Sequence, residues 1–155
     1  MKVYDLEIAR QKIQAYCAYQ DRCHQEVSMK LKSWGLIPDA IDLLTGELMQ
    51  LDFLSEERYA RSFARGKFRI KKWGKIKIKV ALKQKGIFQK CIDFAMEEID
   101  DESYLKTLGS VLKNKNQLLQ EKNPFKRKIK LTRYLLSRGY EHHLITEALS
   151  DLDLV

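Results

Sequence analysis

The chain has 155 residues, of which 45% are hydrophobic and 32% are charged, a balance that is typical of a folded protein and excludes a disordered tail. A formal net charge of +8 favours a polyanionic partner, and nucleic acid is the first to consider. We expect a cytoplasmic protein, because the chain has no membrane-length apolar run, no signal-peptide pattern at its start, and an odd number of cysteines, which do not form a disulfide framework.

Helices dominate the predicted secondary structure. Apolar residues recur at three- and four-residue spacing nearly everywhere, which favours an all-α chain. Gly35, Gly86 and Gly139 recur at near-equal intervals, and superposing them aligns five apolar columns. The columns are Val27, Ile78 and Leu131; Leu31, Leu82 and Leu135; Leu36, Ile87 and Tyr140; Ile41, Ile92 and Ile145; and Leu48, Ile99 and Leu152. Each stretch predicts a helix, a glycine stop and a second helix.

A further helix precedes each of these pairs. The predicted ranges are Ile8–Tyr19, Glu56–Lys72 and Ser103–Leu119. Ser55 is a candidate cap for the second, and the acidic run from Asp100 to Glu102 suits the start of the third. The sequence therefore predicts three tandem three-helix repeat modules in an elongated, curved array. Their predicted bounds are residues 1–51, 52–100 and 101–155.

Basic residues fall in two blocks. The segment Arg58–Ile92 has thirteen Lys or Arg residues and no acid, and Lys122–Arg138 has seven bases and no acid. Between them, Asp93–Glu102 has six acids and no base. Blocks of one sign are typical of a surface that binds a polyanion.

Helical spacing arranges these bases in stripes. Arg58, Arg61, Arg65, Arg69 and Lys72 share one face of the predicted helix, and the opposite side holds Tyr59, Ala60, Phe63, Lys67 and Ile70. Guanidinium and ammonium groups suit phosphate, although a solvated helix face is the alternative interpretation. The candidate binding residues are Arg58, Arg61, Arg65, Arg69, Lys71, Lys72, Lys75, Lys79, Lys83, Lys126, Lys130, Arg133 and Arg138.

Other candidate groups carry weaker signals. Trp73 lies inside the basic block, where it either stacks on a base or packs at a helix junction. Cys17, Cys23 and His24 are close in sequence, but the chain offers no second ligand pair at zinc spacing and no evident orienting acid. With no phosphate-cradling loop either, we expect a protein that is not an enzyme and has no cofactor or metal.

Three segments carry a family resemblance. They are RCHQEVSMKLKSWGL from Arg22, LDFLSEERYARSFARGKFRIKKWGKIKIKVALKQKGI from Leu51, and KLTRYLLSRGYEHHLITEAL from Lys130. Their order and spacing resemble the RecX family of regulatory proteins over Tyr16–Leu152. Two positions depart from the family pattern: Lys75 replaces a frequent Pro, and Ala81 replaces a frequent Glu.

The resemblance implies an elongated helical protein that binds in the groove of the RecA filament on single-stranded DNA. Such a protein inhibits the ATPase and strand-exchange activities of RecA and so modulates recombination, DNA repair and the SOS response. Double-stranded DNA is a further candidate partner, membrane is not, and a monomer is expected because the pattern leaves no spare apolar helix face. The alternatives are a sequence-nonspecific DNA-binding helical protein, a helix-turn-helix regulator, and a scaffold for an acidic protein.

Overall fold

The computed structural model describes residues 4–152, which form nine α-helices and no strand. The helices are α1 Leu6–Tyr19, α2 His24–Ser33, α3 Pro38–Gln50, α4 Glu56–Arg69, α5 Lys75–Gln84, α6 Gln89–Met96, α7 Asp101–Leu118, α8 Pro124–Ser137 and α9 His142–Asp151. The predicted all-α class is confirmed. Residues 1–3 and 153–155, at the ends of the first and third predicted modules, lie outside the described residues. Within residues 4–152, no helix has the length and apolar character that a membrane span requires.

The three predicted glycine stops share one backbone geometry. Gly35, Gly86 and Gly139 have φ values of 84°, 76° and 97°, in the left-handed region that ends a helix. After each glycine, the next backbone N–H donates to the carbonyl of an aligned leucine, the long-range bond of a Schellman motif. These bonds join Leu36 to Leu31 at 3.4 Å, Ile87 to Leu82 at 3.2 Å, and Tyr140 to Leu135 at 3.2 Å.

The aligned apolar columns form the interior. All members of the columns headed by Val27, Leu31 and Ile41 are buried. In the other two columns, only Leu36 and Leu152 are half-buried. The periodicity of the sequence therefore identified the core correctly, because a buried stripe on a helix requires that spacing.

Polar caps explain where several helices begin. Ser55 Oγ accepts a hydrogen bond from the backbone N–H of Arg58 at 3.2 Å, so the predicted cap of α4 is confirmed. Asp100 Oδ2 accepts a hydrogen bond from the backbone N–H of Ser103 at 2.9 Å, so the acidic run opens α7 as expected, but the helix begins at Asp101 rather than at Ser103. Helix α1 begins at Leu6, two residues earlier than predicted, because Asp5 caps it through Ile8 at 2.8 Å.

Helix α4 ends earlier than predicted. It stops at Arg69, because Lys72 adopts φ 56° and the backbone N–H of Trp73 donates to the carbonyl of Lys67 at 3.1 Å. Lys72 thus adopts the positive φ that glycine adopts at the other stops, although the closing hydrogen bond spans six residues here rather than five. Ile70 was expected on the buried side of the helix, but it lies beyond the helix end and is 78% exposed, so that prediction is wrong.

The chain divides into two compact units. Unit 1 contains Met1–Ser62 and Leu82–Phe94, and unit 2 contains Phe63–Ala81 and Ala95–Val155. Helices α1 to α3 build one core of unit 1, from Ala9 to Leu54. The bounds of the three predicted modules stay a prediction.

Candidate nucleic-acid interface

The thirteen candidate side chains separate into two groups. Six are engaged with other groups of the chain: Arg58, Arg61, Arg65, Lys75, Lys130 and Arg138. The other seven are exposed, and their side chains form no hydrogen bond or ion pair among residues 4–152. We call these the unpaired basic set: Arg69, Lys71, Lys72, Lys79, Lys83, Lys126 and Arg133. Among the thirteen candidates, these are the side chains that no hydrogen bond or ion pair engages within the described part of the chain.

Arg58 bridges separate segments of unit 1. Its Nε donates to Asp21 Oδ1 at 2.8 Å and its Nη1 to Asp52 Oδ1 at 3.3 Å. The hydrogen bond to Asp21 is the main reason that the pKa of this guanidinium is raised. Arg58 thus ties the start of α4 to the loops before α2 and α4.

Two further arginines of α4 also have partners. In unit 1, Arg61 bonds Glu57 at 3.2 Å and the carbonyl of Phe94 at 3.1 Å. In unit 2, Arg65 forms a short ion pair with Glu98. Both side chains therefore hold the end of α6 and the residues after it. Their guanidinium groups already use part of their hydrogen-bonding capacity within the chain.

The turn between α4 and α5, residues 70–74, is clamped by the turn between α8 and α9 in unit 2. The backbone N–H of Gly74 donates to the carbonyl of Arg138 at 2.7 Å, and that of Ile76 to the carbonyl of Gly139 at 3.0 Å. A Cβ on Gly74 would lie 2.2 Å from the carbonyl carbon and oxygen of Gly139. Only glycine permits this approach.

Side chains of the third predicted module add to this clamped turn. Tyr140 donates its hydroxyl to the carbonyl of Lys72 at 2.7 Å, and Arg138 Nη2 donates to the carbonyl of Lys71. Burial raises the pKa of Tyr140 to about 12, so its hydroxyl remains a donor. The backbones of Lys71 and Lys72 are held in place, while their ammonium groups extend into solvent.

Tyr104 joins α5 to α7 and α9. Its hydroxyl accepts from the backbone N–H of Lys75 at 2.8 Å and donates to Glu141 Oε1. Burial, and then the bond to Glu141, raise its pKa. The ring packs against Phe68 and Tyr140, with centroids 5.9 and 5.4 Å away. This aromatic cluster fixes the start of α5.

Trp73 is a half-buried junction residue. Its ring packs edge-on against Phe63, with centroids 6.5 Å apart. The ammonium groups of Lys67 and Lys77 lie 4.9 and 4.6 Å from its centroid. The geometry favours packing over stacking on a base, because cations already occupy positions over the ring. Sequence reasoning missed both lysines as neighbours of Trp73, since Lys67 was assigned to the buried side of α4 and Lys77 lies off the predicted stripes.

Comparison with known proteins identifies the family of this chain. The model described as "RecX, second three-helix domain" matches residues 55–96, and "RecX, third three-helix domain" matches residues 102–149. The regulatory protein RecX of Prosthecochloris aestuarii is 31% identical over 137 residues, which cover 88% of each chain. The chain belongs to the RecX family. The repeat of three-helix domains is thereby confirmed for the part of the chain that these models cover.

Other RecX proteins are longer than this chain. The relative from Clostridium acetobutylicum is 33% identical over 84% of this chain and 62% of its own length. The relative from Lactobacillus johnsonii is 27% identical over 94% of this chain and 54% of its own length. This chain therefore spans less than two thirds of those two proteins. All three relatives carry the name of a regulatory protein.

Solved RecX structures have the same fold. The crystal structure of RecX from Lactobacillus salivarius superposes with a TM-score of 0.86 at 23% identity, covering 97% of both chains. A second crystal structure of a regulatory protein RecX gives the same TM-score at 19% identity, over 94% of this chain and 71% of that one. At these identities the likeness concerns the fold.

Lys75 shows what one departure from the RecX pattern changes. Its backbone N–H makes the hydrogen bond to Tyr104, which a proline could not donate. Its Nζ lies 3.4 Å from Asp101 Oδ1 and 4.7 Å from the centroid of Tyr104. This RecX-family chain thus anchors the first residue of α5 to α7.

The cysteines near the start of α2 are packing residues. Burial raises the pKa of Cys17 and of Cys23, which keeps both thiols protonated. His24 lies beside Glu56, with Nδ1 3.5 Å from Oε1, so an acid does face it, contrary to expectation. Among residues 4–152, no three His, Cys, Asp or Glu side chains are grouped to hold a metal ion.

Proposed function

We propose that this chain binds the RecA filament on single-stranded DNA, inhibits its ATPase and strand-exchange activities, and thereby modulates recombination and DNA repair. Membership of the RecX family supports RecA as the target. The observation that carries the proposal is the unpaired basic set, most of which belongs to unit 2 and part of which lies on the clamped turn.

Unpaired lysine and arginine side chains suit the phosphates of DNA. Each neutralised phosphate releases a counterion, so affinity falls steeply as salt rises. Five of the seven members are lysines, and lysine contacts the backbone of DNA without specifying sequence. This favours a nucleic-acid ligand that is recognised by the charge and course of its phosphate backbone rather than by its bases.

The clamped turn lowers the cost of binding. Lys71 and Lys72 lie on a backbone that is already hydrogen-bonded to Arg138 and Tyr140. A fixed backbone loses less conformational entropy when its side chains bind phosphate. We propose that the unpaired basic set contacts the filament, and that the six engaged residues mainly hold the helices that present it.

Inhibition is proposed to be mechanical. A protein that contacts adjacent protomers of a filament opposes the rearrangements that each ATPase cycle requires. No catalytic group of this chain takes part in such a mechanism, and it needs no cofactor.

The test is the single-stranded-DNA-dependent ATPase rate of RecA at increasing, substoichiometric concentrations of this protein. We expect strong inhibition at levels too low to occupy the DNA. Inhibition that appears only when the protein saturates the DNA would contradict the proposal and favour the sequence-nonspecific DNA binder.

A further inference from the structure

A cavity of about 390 Å³ opens on unit 1, beside the start of α4. Its lining includes Glu56 from α4, His24 from α2, and Cys91 from α6. Met49 and Phe88 form an apolar rim and are 50% and 69% exposed. No Lys or Arg belongs to this lining, although the chain carries a net charge of +8.

The carboxylate of Glu56 is the unusual group in this cavity. Its side chain is only 10% exposed. One oxygen lies 3.5 Å from His24 Nδ1, and the other, Oε2, is buried without a hydrogen-bond partner among residues 4–152. A buried carboxylate oxygen without a partner costs free energy, since water no longer solvates it.

The neighbouring acids do not share this deficiency. Asp52 pairs with Arg58 at 3.3 Å, and Glu57 pairs with Arg61 at 3.2 Å. Both arginines are thereby directed to partners other than Glu56. His24 alone among the described bases approaches the Glu56 carboxylate.

We propose that this cavity receives the side chain of an arginine or lysine from a protein partner. The cationic end would bond Glu56 Oε2, and the aliphatic stem would pack on Met49 and Phe88, as long basic side chains do against apolar surface. Three carboxylates at the cavity repel phosphate, so nucleic acid is a poor occupant.

The inference rests on the proposed function for the identity of the partner, which is then the protein component of the filament rather than its DNA. It also assigns different ligands to the two units of the chain. The acidic cavity of unit 1 binds protein, and the unpaired bases of unit 2 bind phosphate. Specificity for a protein-coated strand over bare DNA follows from requiring both.

A small probe tests the cavity directly. Butylguanidinium carries the end of an arginine side chain, and butyramide is its uncharged control. In the 155-residue chain labelled with ¹⁵N, we expect millimolar butylguanidinium to shift the backbone amide signals of Glu56, Phe88 and Cys91, and butyramide to leave them unchanged. Equal shifts with both compounds, or none with either, would overturn the proposal.

Glu56→Gln is the matching variant, because it removes the charge and keeps the shape. The shifts caused by butylguanidinium should disappear in Glu56→Gln. They should persist in Asp42→Asn, which removes an exposed charge from α3 in the same unit. Persistence of the shifts in Glu56→Gln would mean that the carboxylate is not the receptor.

Affinity for the RecA filament separates this inference from the function on which it rests. We expect Glu56→Gln to weaken filament binding about tenfold and Asp42→Asn to leave it unchanged. Unchanged binding by Glu56→Gln would overturn the assigned partner. Failure of the wild-type chain to bind the filament would overturn the proposed function while the probe titration still reports on the cavity. Light scattering that shows a dimer lost in Glu56→Gln would assign the cavity to a second copy instead.

Discussion

Single residues decide how closely the two turns of unit 2 approach. Gly74 is the clearest case, because its missing Cβ leaves room for the backbone of Gly139. The sequence marks Gly74 only as a glycine in a basic block. Its role depends on a residue from another predicted module, which no local pattern reveals.

Gly74→Ala should destabilise the protein by roughly 2 kcal/mol or more, since the added methyl group meets a backbone that cannot move away. Urea unfolding measures this loss as a lower midpoint. Gly66→Ala is the control, because its Cβ would meet nothing within 4 Å inside α4. There we expect about 0.5–1 kcal/mol of stabilisation, from the better helix propensity of alanine. Equal effects at the two glycines would contradict the close approach.

The buried carboxylate of Glu56 should make the stability of the protein depend on pH. Burial raises its pKa in the folded state, and His24 opposes this only in part. The folded protein therefore holds the proton more tightly than the unfolded chain, so the favourable contribution is present at low pH and is lost as pH rises through the folded pKa. At pH 8 the buried, charged carboxylate lowers the free energy of unfolding, and a glutamine in its place does not.

We therefore expect Glu56→Gln to unfold at a higher temperature than the parent at pH 8, with the difference vanishing below about pH 4. Both proteins should carry His24→Asn, so that the comparison reports on the Glu56 carboxylate alone. A Glu56→Gln variant that is less stable than its parent at pH 8 would show that the carboxylate is satisfied in the fold.

At the scale of elements, the helices that end in glycine were predictable and the end of α4 was not. The helix ends at Gly35, Gly86 and Gly139 could be predicted because glycine readily adopts positive φ. Lys72 adopts the same conformation with a side chain that gives no such signal. The helix start at Ser55, by contrast, follows from a local cap, so the sequence located it correctly.

The start of α5, next to the clamped turn, is held by the hydroxyl of Tyr104. Tyr104→Phe keeps the ring but removes the acceptor for the backbone N–H of Lys75 and the donor to Glu141. We expect a loss of about 1–3 kcal/mol, because buried groups are left unpaired. Urea unfolding is again the measurement. Tyr134→Phe is the control, because the ring of Tyr134 contacts Lys115 and its hydroxyl makes no hydrogen bond among the described residues. A similar loss of stability in Tyr134→Phe would contradict the role assigned to the Tyr104 hydroxyl.

Lys72→Gly separates charge from conformation in this turn. Glycine retains the positive φ and removes the ammonium group. If Lys72 contacts a phosphate, the slope of log affinity for single-stranded DNA against log salt should fall by about 0.7. The helical content should stay constant by circular dichroism. Lys32→Ala, at an exposed position of α2, should leave the slope as it is; an unchanged slope in Lys72→Gly would mean that this lysine does not bind phosphate.

At the scale of the whole molecule, the blocks of basic residues were visible in the sequence, but which of their charges are available to a ligand was not. Arg58 pairs with Asp21, 37 residues away, and Arg65 with Glu98, 33 residues away. A stripe of arginines with no acid inside its own block therefore includes members that the fold neutralises. Distant partners of this kind depend on how helices pack, which helical periodicity does not encode.

The expectation of a monomer rested on a premise that the structure contradicts. Helix α8 presents Phe125, Ile129 and Leu136 to solvent, so an apolar helix face is left over. Periodicity missed it because these residues lie off the column of Leu131 and Leu135, which is buried. The oligomeric state itself stays a prediction.

The central claim is that unpaired bases, rather than net charge alone, make the chain an inhibitor of the RecA filament. Its most direct test compares two triple charge reversals by the single-stranded-DNA-dependent ATPase rate of RecA. The first replaces Arg69, Lys71 and Lys79 by Glu. The second replaces Lys32, Lys106 and Lys113 by Glu, exposed lysines outside the candidate residues, and changes the net charge equally.

Both variants should keep the helical content of the parent. We predict that the first variant loses inhibition and that the second retains it, because only the first removes members of the unpaired basic set. Equal inhibition by the two variants would contradict the account and leave net charge as the sole determinant.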